Sequence, residues 1–173
     1  MNVDLLLMDN EKFEAPVFRR EGSVRTLGFE DDFVAVKNFI QGSHNHLIIY
    51  KISSCFNSWF LSCGGKVEKS QRAREISYSD LARNSLDYAV IKYMGGENKV
   101  VVTLSNLFQI LMEQGEGRRG PLLVNGYQNI FYIKDFHETV RTVIVSWSEK
   151  GWILDASLIY VPIQRRAGSR FFV

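Results

Sequence analysis

The sequence predicts an α+β fold, a mostly antiparallel sheet that ends in a C-terminal β-meander, with two or three helices packed on one face. Two observations lead there: apolar residues repeat every 3.6 positions in the middle of the chain, and every second position after Gly115. Aromatic residues make up 13% of the chain, and it has only 3 prolines, a composition typical of a packed, strand-rich protein. At 173 residues it is predicted to be a single domain, 1–173.

Residues 1–45 support two interpretations of their secondary structure. The run FVAV alone fits a strand, but apolar residues also fit one face of a helix that would end at Gly42. Both interpretations stay open. The helical face consists of Phe29, Phe33, Val36 and Ile40.

The first segment, MNVDLLLMDNEKF, has features that argue against a leader or a membrane anchor. Asp4 interrupts its short apolar run, and no basic segment precedes that run. No stretch of the chain approaches the ~20 apolar residues that a membrane-spanning helix needs. We therefore expect a cytoplasmic protein that does not contact a membrane.

One strand and two helices are predicted in the middle of the chain. The β-branched and aromatic run HLIIYKI, residues 46–52, predicts a buried strand. SLDYAVIKYMGG predicts a helix with Ser85 as its N-cap and the two glycines as its end. TLSNLFQILMEQG predicts a second helix, with Thr103 as its cap and Gly115 just beyond its last turn.

After Gly115 the sequence predicts antiparallel strands joined by short turns. Asn125-Gly126 between two apolar runs is typical of a two-residue hairpin turn. A loop at SEKG would place Trp147 opposite Trp152, with most aliphatic side chains on the same side of the sheet. We expect the other side to face water, because it carries Thr142, Ser146, Asp155 and Ser157.

The stretch GEGRRGP has the glycine spacing of a nucleotide-binding loop, Gly-x-Gly-x-x-Gly. Such a loop needs a strand before it and a helix after it, so that the amides of the helix meet the phosphates. Here a predicted helix comes first and a predicted strand, beginning at Pro121, follows. We therefore interpret the stretch as a turn, whose exposed Arg118 and Arg119 could contact a partner.

The residues that could form a metal or nucleophile site lack the usual spacing motifs. His44 and His46 would lie on one face of a strand, but no further ligand accompanies them. Cys55 and Cys63 flank apolar residues, which favours free, buried, unreactive thiols. We expect no metal and no cofactor, and the chain carries no enzyme signature.

The C-terminal segment PIQRRAGSRFFV combines three arginines with two phenylalanines and has no acidic residue. Arginines beside aromatic rings are used both at protein interfaces and on single-stranded nucleic acid. The simplest alternative is a strand with Phe171 or Phe172 in the core and the arginines in water. A net charge of only +2 argues against a nucleic-acid-binding field over the whole molecule.

Blocks of this sequence resemble a group of small uncharacterised bacterial proteins, some of them carried on phages or other mobile elements. The blocks are NSWFL, TLSNLFQILMEQ, LLVNGYQNIFYIKD, and SWSEKGW with RAGSRFF, spread over about the last two thirds of the chain. The resemblance implies a bacterial, cytoplasmic setting. It brings no activity and no site residue with it.

These observations lead to three hypotheses about function. The first is a small non-catalytic interaction or regulatory module that binds another protein, the second is nucleic-acid binding by the C-terminal segment, and the third is a metal- or cysteine-dependent hydrolase. The first follows from the missing enzyme signature and from arginine and tryptophan residues expected at the surface. Those candidate binding residues are Arg118, Arg119, Trp147, Trp152, Arg165, Arg166 and Arg170.

Overall fold

The computed structural model describes residues 15–173, so the initial segment MNVDLLLMDNEKF lies outside the described residues. The helices are α1 (Ala35–Asn38), α2 (Ser54–Phe56), a π-helix (Asn57–Leu61), α3 (Asp87–Tyr93), α4 (Glu97–Val100) and α5 (Leu104–Gln114). The strands are β1 (Phe18–Thr26), β2 (Phe33–Val34), β3 (Gly42–His44), β4 (Leu47–Ile52), β5 (Val67–Glu68), β6 (Arg74–Leu81), β7 (Ser85–Leu86), β8 (Val101–Val102), β9 (Asn129–Lys134), β10 (Val140–Ser148), β11 (Gly151–Leu158), β12 (Gln164–Arg165) and β13 (Arg170–Phe172). Within residues 15–173 no helix is both long and apolar enough to cross a membrane.

Nine strands form one sheet in the order β1-β6-β13-β9-β10-β11-β4-β3, with β8 also beside β9. The α+β class is confirmed, but the sheet is mixed rather than mostly antiparallel, because β13 and β8 run parallel to β9 and β4 runs parallel to β11. The strand-rich part is not confined to the C-terminal region, since β1, β4 and β6 also belong to this sheet. These pairings join distant parts of the chain, which local periodicity does not reveal.

The predicted β-meander has the expected register, but the predicted hairpin before it is wrong. Trp147 pairs with Trp152 across the β10–β11 turn, as the sequence indicates. Residues 121–128 form no strand, and the Asn125 side-chain oxygen instead accepts a hydrogen bond from Tyr127 N at 3.4 Å. The Asn-Gly pair therefore shapes an irregular loop, and β9 pairs with β10 and β13.

Both predicted helices in the middle of the chain are present. The α5 helix begins with the Thr103 capping box, and Gly115 follows its last turn with φ 62°. The Glu68 carboxylate adds two further caps, because it accepts hydrogen bonds from Leu104 N and Ser105 N, each at 2.9 Å. Ser85 is not the N-cap of α3: it lies in β7, and the helix begins at Asp87.

Helices cover both faces of the sheet, so the prediction of helices on one face and water on the other is wrong. The α5 side chains pack in one core cluster, which includes Phe131 and Phe172. Val90 and Ile91 of α3 pack in a second cluster with Phe171, on the opposite face. Both faces of β9 are consequently buried, and its run of consecutive apolar residues is the sequence feature that signals this.

The segment with two interpretations contains both kinds of structure. Phe33 is buried in β2, and α1 follows directly as a single short turn of helix. The proposed helical face is wrong, because Val36 and Ile40 are exposed while Phe39 is buried. The strand predicted over residues 46–52 is confirmed as β4.

A buried ion pair, Asp87 with Arg165, joins α3 to the C-terminal segment. Arg165 donates to the carboxylate through Nε at 3.1 and 3.0 Å and through Nη2 at 2.6 Å. Thr142 and Tyr132 also donate to Asp87, at 3.0 and 3.1 Å. Burial and the neighbouring carboxylate raise the pKa of Tyr132, so its hydroxyl stays protonated and able to donate.

Replacement of Arg165 should strongly destabilise the fold. Arg165→Met should lower the free energy of unfolding by about 3–5 kcal/mol, because it leaves the Asp87 carboxylate buried without a counter-charge. Urea denaturation followed by tryptophan fluorescence measures this change. Arg166→Met is the matched control, since Arg166 is exposed and its loss should cost at most about 0.5 kcal/mol. Equal losses in the two variants would contradict the role of the buried pair.

A second buried carboxylate, Asp135, organises the turn between β9 and β10. It accepts hydrogen bonds from His137 N at 2.8 Å and Thr139 N at 3.0 Å, and Arg141 Nε donates to it at 2.7 Å. Burial alone would raise the pKa of Asp135. These three hydrogen bonds outweigh burial, and the pKa lies below its ordinary value.

The lowered pKa of Asp135 predicts how stability depends on pH. The ionised carboxylate should contribute fully above the unfolded-state pKa of about 3.9, and its contribution should be lost as pH falls through the lower folded-state pKa. The difference in unfolding free energy between wild type and Asp135→Asn should therefore be constant above about pH 5 and shrink in acid. Denaturant titrations across this range measure it, with Asp31→Asn, at an exposed carboxylate, as the charge control. A difference that stays constant down to about pH 2 would contradict the assignment.

Candidate functional site: an arginine-lined pocket

A surface pocket of about 410 Å³ lies where β1, β6 and β13 meet the irregular loop 115–128. Among the described residues, its lining includes three arginines from separate parts of the chain and no acidic side chain. The lining residues are Arg20, Tyr78, Arg119, Gly120, Leu122, Leu123, Val124, Asn125 and Arg170. The described surface thus contains a concave site with a positive lining.

Arg170 forms the fixed floor of the pocket. Its guanidinium is buried and donates to both oxygens of Asp80, through Nε at 2.6 Å and Nη2 at 3.0 Å. Nη1 donates to the carbonyl oxygen of Pro121 at 2.6 Å, which holds the loop against β13. The guanidinium lies 4.5 Å from the centre of the Tyr78 ring, within the range of a cation–π contact.

Arg20 lines the pocket and lies at a bulge in β1. The register with β6 shifts between Arg19 and Glu21, so Arg20 is an extra residue on this strand. Its φ of 54° is uncommon for a residue with a side chain. A bulge of this kind redirects a side chain that regular alternation would place elsewhere, and it is frequent beside functional sites.

Tyr78 forms the pocket wall between Arg170 and β1. A Cβ atom at Gly22 would lie only 2.4 Å from the Tyr78 ring, so only glycine lets the ring lie against the β1 backbone here. The ring also packs on Phe172, with 5.5 Å between ring centres. The hydroxyl end of the ring lies over Gly22, so Tyr78 presents ring surface to the pocket and fixes the position of this wall.

Two buried amide side chains fix the loop that forms the opposite wall. Gln114 Nε2 donates to the carbonyl oxygens of Arg118 at 2.6 Å and Leu122 at 2.8 Å, and Gln114 Oε1 accepts from Leu122 N at 2.7 Å. Asn129 bonds both the N–H and the carbonyl of Leu123, at 2.7 and 3.1 Å. The loop therefore has a defined conformation although it contains no helix or strand.

The stretch GEGRRGP forms a turn after a helix, as the sequence indicates. Gly117 adopts φ 71°, and a Cβ there would lie 2.2 Å from the Trp147 ring, so this glycine is required by packing. Pro121 does not begin a strand, since β9 begins only at Asn129. Arg119 lines the pocket, while Arg118 is exposed and does not.

The other predicted binding residues do not form one surface. Trp152 and Arg165 are buried, so the prediction that they lie at the surface is wrong. Trp152 donates from Nε1 to the carbonyl oxygen of Gly115 at 2.7 Å, and its ring packs edge-on against half-buried Trp147. Arg166 is exposed, with its guanidinium 5.9 Å from the centre of the Tyr127 ring.

The histidines and cysteines do not assemble into a site within residues 15–173. His44 ends β3, and His46 lies in the following turn with φ 70°, so the two rings do not share a strand. No group of three potential metal ligands is present in this described part. Cys55 and Cys63 are free, and the expectation that they are buried is wrong, because both are exposed.

Sequence reasoning found two of the three pocket arginines, Arg119 and Arg170, but missed Arg20 and Tyr78. No protein-family model, no curated protein and no solved structure matches this chain. The resemblance to bacterial and mobile-element proteins, and the compartment it implies, therefore stay predictions.

Removal of one amide should loosen the wall of the pocket without unfolding the protein. Gln114→Ala deletes the acceptor for Leu122 N and leaves two loop carbonyls unpaired, so exchange of the Leu122 amide should accelerate about tenfold or more. Hydrogen exchange followed by NMR measures this. Gln109→Ala, which removes a single hydrogen bond to the carbonyl oxygen of Leu27 from the same helix, should leave Leu122 unchanged. Unchanged exchange in Gln114→Ala would contradict the anchoring role.

Proposed function

We propose that this protein is a non-catalytic interaction module that binds an acidic segment of a partner protein in the arginine-lined pocket. The observation that carries the proposal is the charge of the pocket: three arginines line it, and among residues 15–173 a carboxylate, that of Asp80, balances the charge of Arg170 alone. Arg20 and Arg119 thus add two uncompensated positive charges. A negatively charged segment would neutralise them.

The construction of the pocket supports recognition of a ligand rather than a reaction. Arg170 is held by Asp80 and Pro121, and the loop wall is held by two amides, so the site is formed before a ligand arrives. A floor and a loop wall that are already fixed lose little freedom on binding, which favours affinity. The pocket lining contains no histidine, cysteine or carboxylate that could act as a base or nucleophile.

The loop wall gives the pocket an apolar side that suits a peptide. Leu123 and Val124 are half-buried and line the pocket from the loop that also carries Arg119. A peptide could therefore place an acidic side chain on the arginines and an apolar neighbour on this wall. Interfaces commonly combine an arginine contact with apolar surface in this way.

Nucleic-acid binding remains the alternative interpretation of the same charges. Arg166 and Tyr127 are both exposed beyond the pocket and could contribute phosphate and base contacts. Arg165 does not contribute to such a surface, since its guanidinium is enclosed by Asp87 and Ser157. Salt dependence and nuclease sensitivity of the bound material distinguish the two interpretations.

Loss of the two free arginines should abolish capture of the partner. The double variant Arg20→Gly with Arg119→Ala removes both uncompensated charges, and glycine at position 20 preserves the backbone conformation of the bulge. We expect affinity purification from bacterial lysate to recover a protein with wild type and to recover at least about tenfold less with the double variant, as expected when charged interface contacts are lost. Nuclease treatment should not change the recovery.

The matched control is Arg25→Ala, an exposed arginine of the same strand that does not line the pocket. It should capture the partner as wild type does. Equal loss in Arg25→Ala and in the double variant would show that general charge, not the pocket, drives binding. Material that disappears after nuclease treatment would replace this proposal with nucleic-acid binding.

A further inference from the structure

We propose that the group recognised in the pocket is a phosphate monoester dianion, carried on a phosphorylated side chain of the partner segment. This inference rests on the proposed function and names the chemistry of its ligand. It distinguishes a phosphorylated segment from one that is acidic only through aspartate and glutamate.

The first argument is the match of charge. The pocket holds three guanidinium groups, and Asp80 balances one of them at 2.6 Å, which leaves two positive charges from Arg20 and Arg119. A carboxylate neutralises only one of these charges, whereas a phosphorylated side chain carries about −1.5 to −2 near pH 7. A phosphodiester within a nucleic-acid strand carries a single charge per phosphate and fits less well.

Hydrogen-bonding capacity also favours a phosphate. Arg20 and Arg119 enter the pocket lining from β1 and from the loop, so two guanidinium-bearing side chains from separate elements line the same space. A monoester presents three oxygens directed apart, while a carboxylate presents two oxygens in one plane. Arginine forms paired hydrogen bonds with carboxylate and phosphate alike, so a third oxygen and a second charge let a phosphate engage both Arg20 and Arg119 at once.

The third argument is the fixed position of the floor beneath this space. Three of the guanidinium nitrogens of Arg170 donate to Asp80 and Pro121, so the group is held and cannot swing out to follow a ligand. Asp80 balances the charge of Arg170, so its contribution is a rigid floor that joins β13 to the loop beneath the space between Arg20 and Arg119. The volume of about 410 Å³ leaves space for the phosphate and the side chain that carries it.

The experiment compares three fluorescein-labelled peptides that are identical except for a central phosphoserine, glutamate or serine, each flanked by leucine and glutamate. Fluorescence anisotropy at physiological ionic strength measures the affinity for wild type, for Arg20→Gly with Arg119→Ala, and for Arg25→Ala. We expect wild type and Arg25→Ala to bind the phosphoserine peptide at least about tenfold more tightly than the glutamate peptide, because the dianion pairs with both Arg20 and Arg119 while a carboxylate carries one charge. The double variant should reduce that preference to about twofold or less. Circular dichroism and thermal unfolding of each variant establish that it is folded.

A second set of probes separates the possible sources of phosphate. Oligothymidylate with a 5′-phosphate is compared with the same strand ending in a 5′-hydroxyl. Equal, salt-sensitive binding of both strands, tighter than that of the phosphoserine peptide, would show diester recognition and overturn the inference together with the proposed function. Wild-type affinities for the glutamate and phosphoserine peptides within about twofold of each other would overturn only the inference, since an acidic segment would still bind. Binding of none of the peptides would overturn both.

Discussion

The structure depends on the short strand β13, whose first residue, Arg170, is fixed by an ion pair with Asp80 of β6. β13 lies between β6 and β9, so it joins the β1–β6 half of the sheet to the meander. Phe171 and Phe172 then point into the two core clusters on opposite faces. Two adjacent residues near the C-terminus therefore contribute one side chain to each core. The buried guanidinium of Arg170 is tolerated because Asp80 and Pro121 accept its hydrogen bonds.

The same ion pair builds the pocket. The Arg170 guanidinium contacts the Tyr78 ring on one side and donates to the Pro121 carbonyl of the loop on the other. The strand that completes the sheet therefore also sets the distance between the two pocket walls. Arg20 and Arg119 are not used by the fold, since both are exposed at the rim of this arrangement. Interior arginines are thus paired within the fold, whereas within residues 15–173 no carboxylate pairs with the rim arginines, to which we assign the proposed ligand. Variants of the interior arginines should therefore change the free energy of unfolding, whereas variants of the rim arginines should change ligand affinity.

The sequence predicts those features of the fold that depend on neighbouring residues. Thr103 and Gly115 mark the two ends of α5, and the SEKG loop sets the Trp147–Trp152 register. It does not reveal that Arg165 and Arg170 are buried, because their partners Asp87 and Asp80 lie 78 and 90 residues away in the chain. Arg20 has no sequence signal either, since its bulge arises from pairing with β6, and Tyr78 looks like any residue of an alternating strand. Arg20, Tyr78 and Arg170 reach the pocket through pairing of distant strands, which the periodicity of the sequence does not encode.

The most direct test of this account is an NMR titration of the ¹⁵N-labelled protein with phenyl phosphate, with benzoate titrated in parallel. If the rim arginines form the binding site, the shifts should concentrate on the backbone amides of Gly120, Leu123, Val124 and Asn125 and on Tyr78, with phenyl phosphate saturating at lower concentration than benzoate. Shifts centred on the surface around Arg166 and Tyr127, or no saturable shift with either anion, would contradict the account.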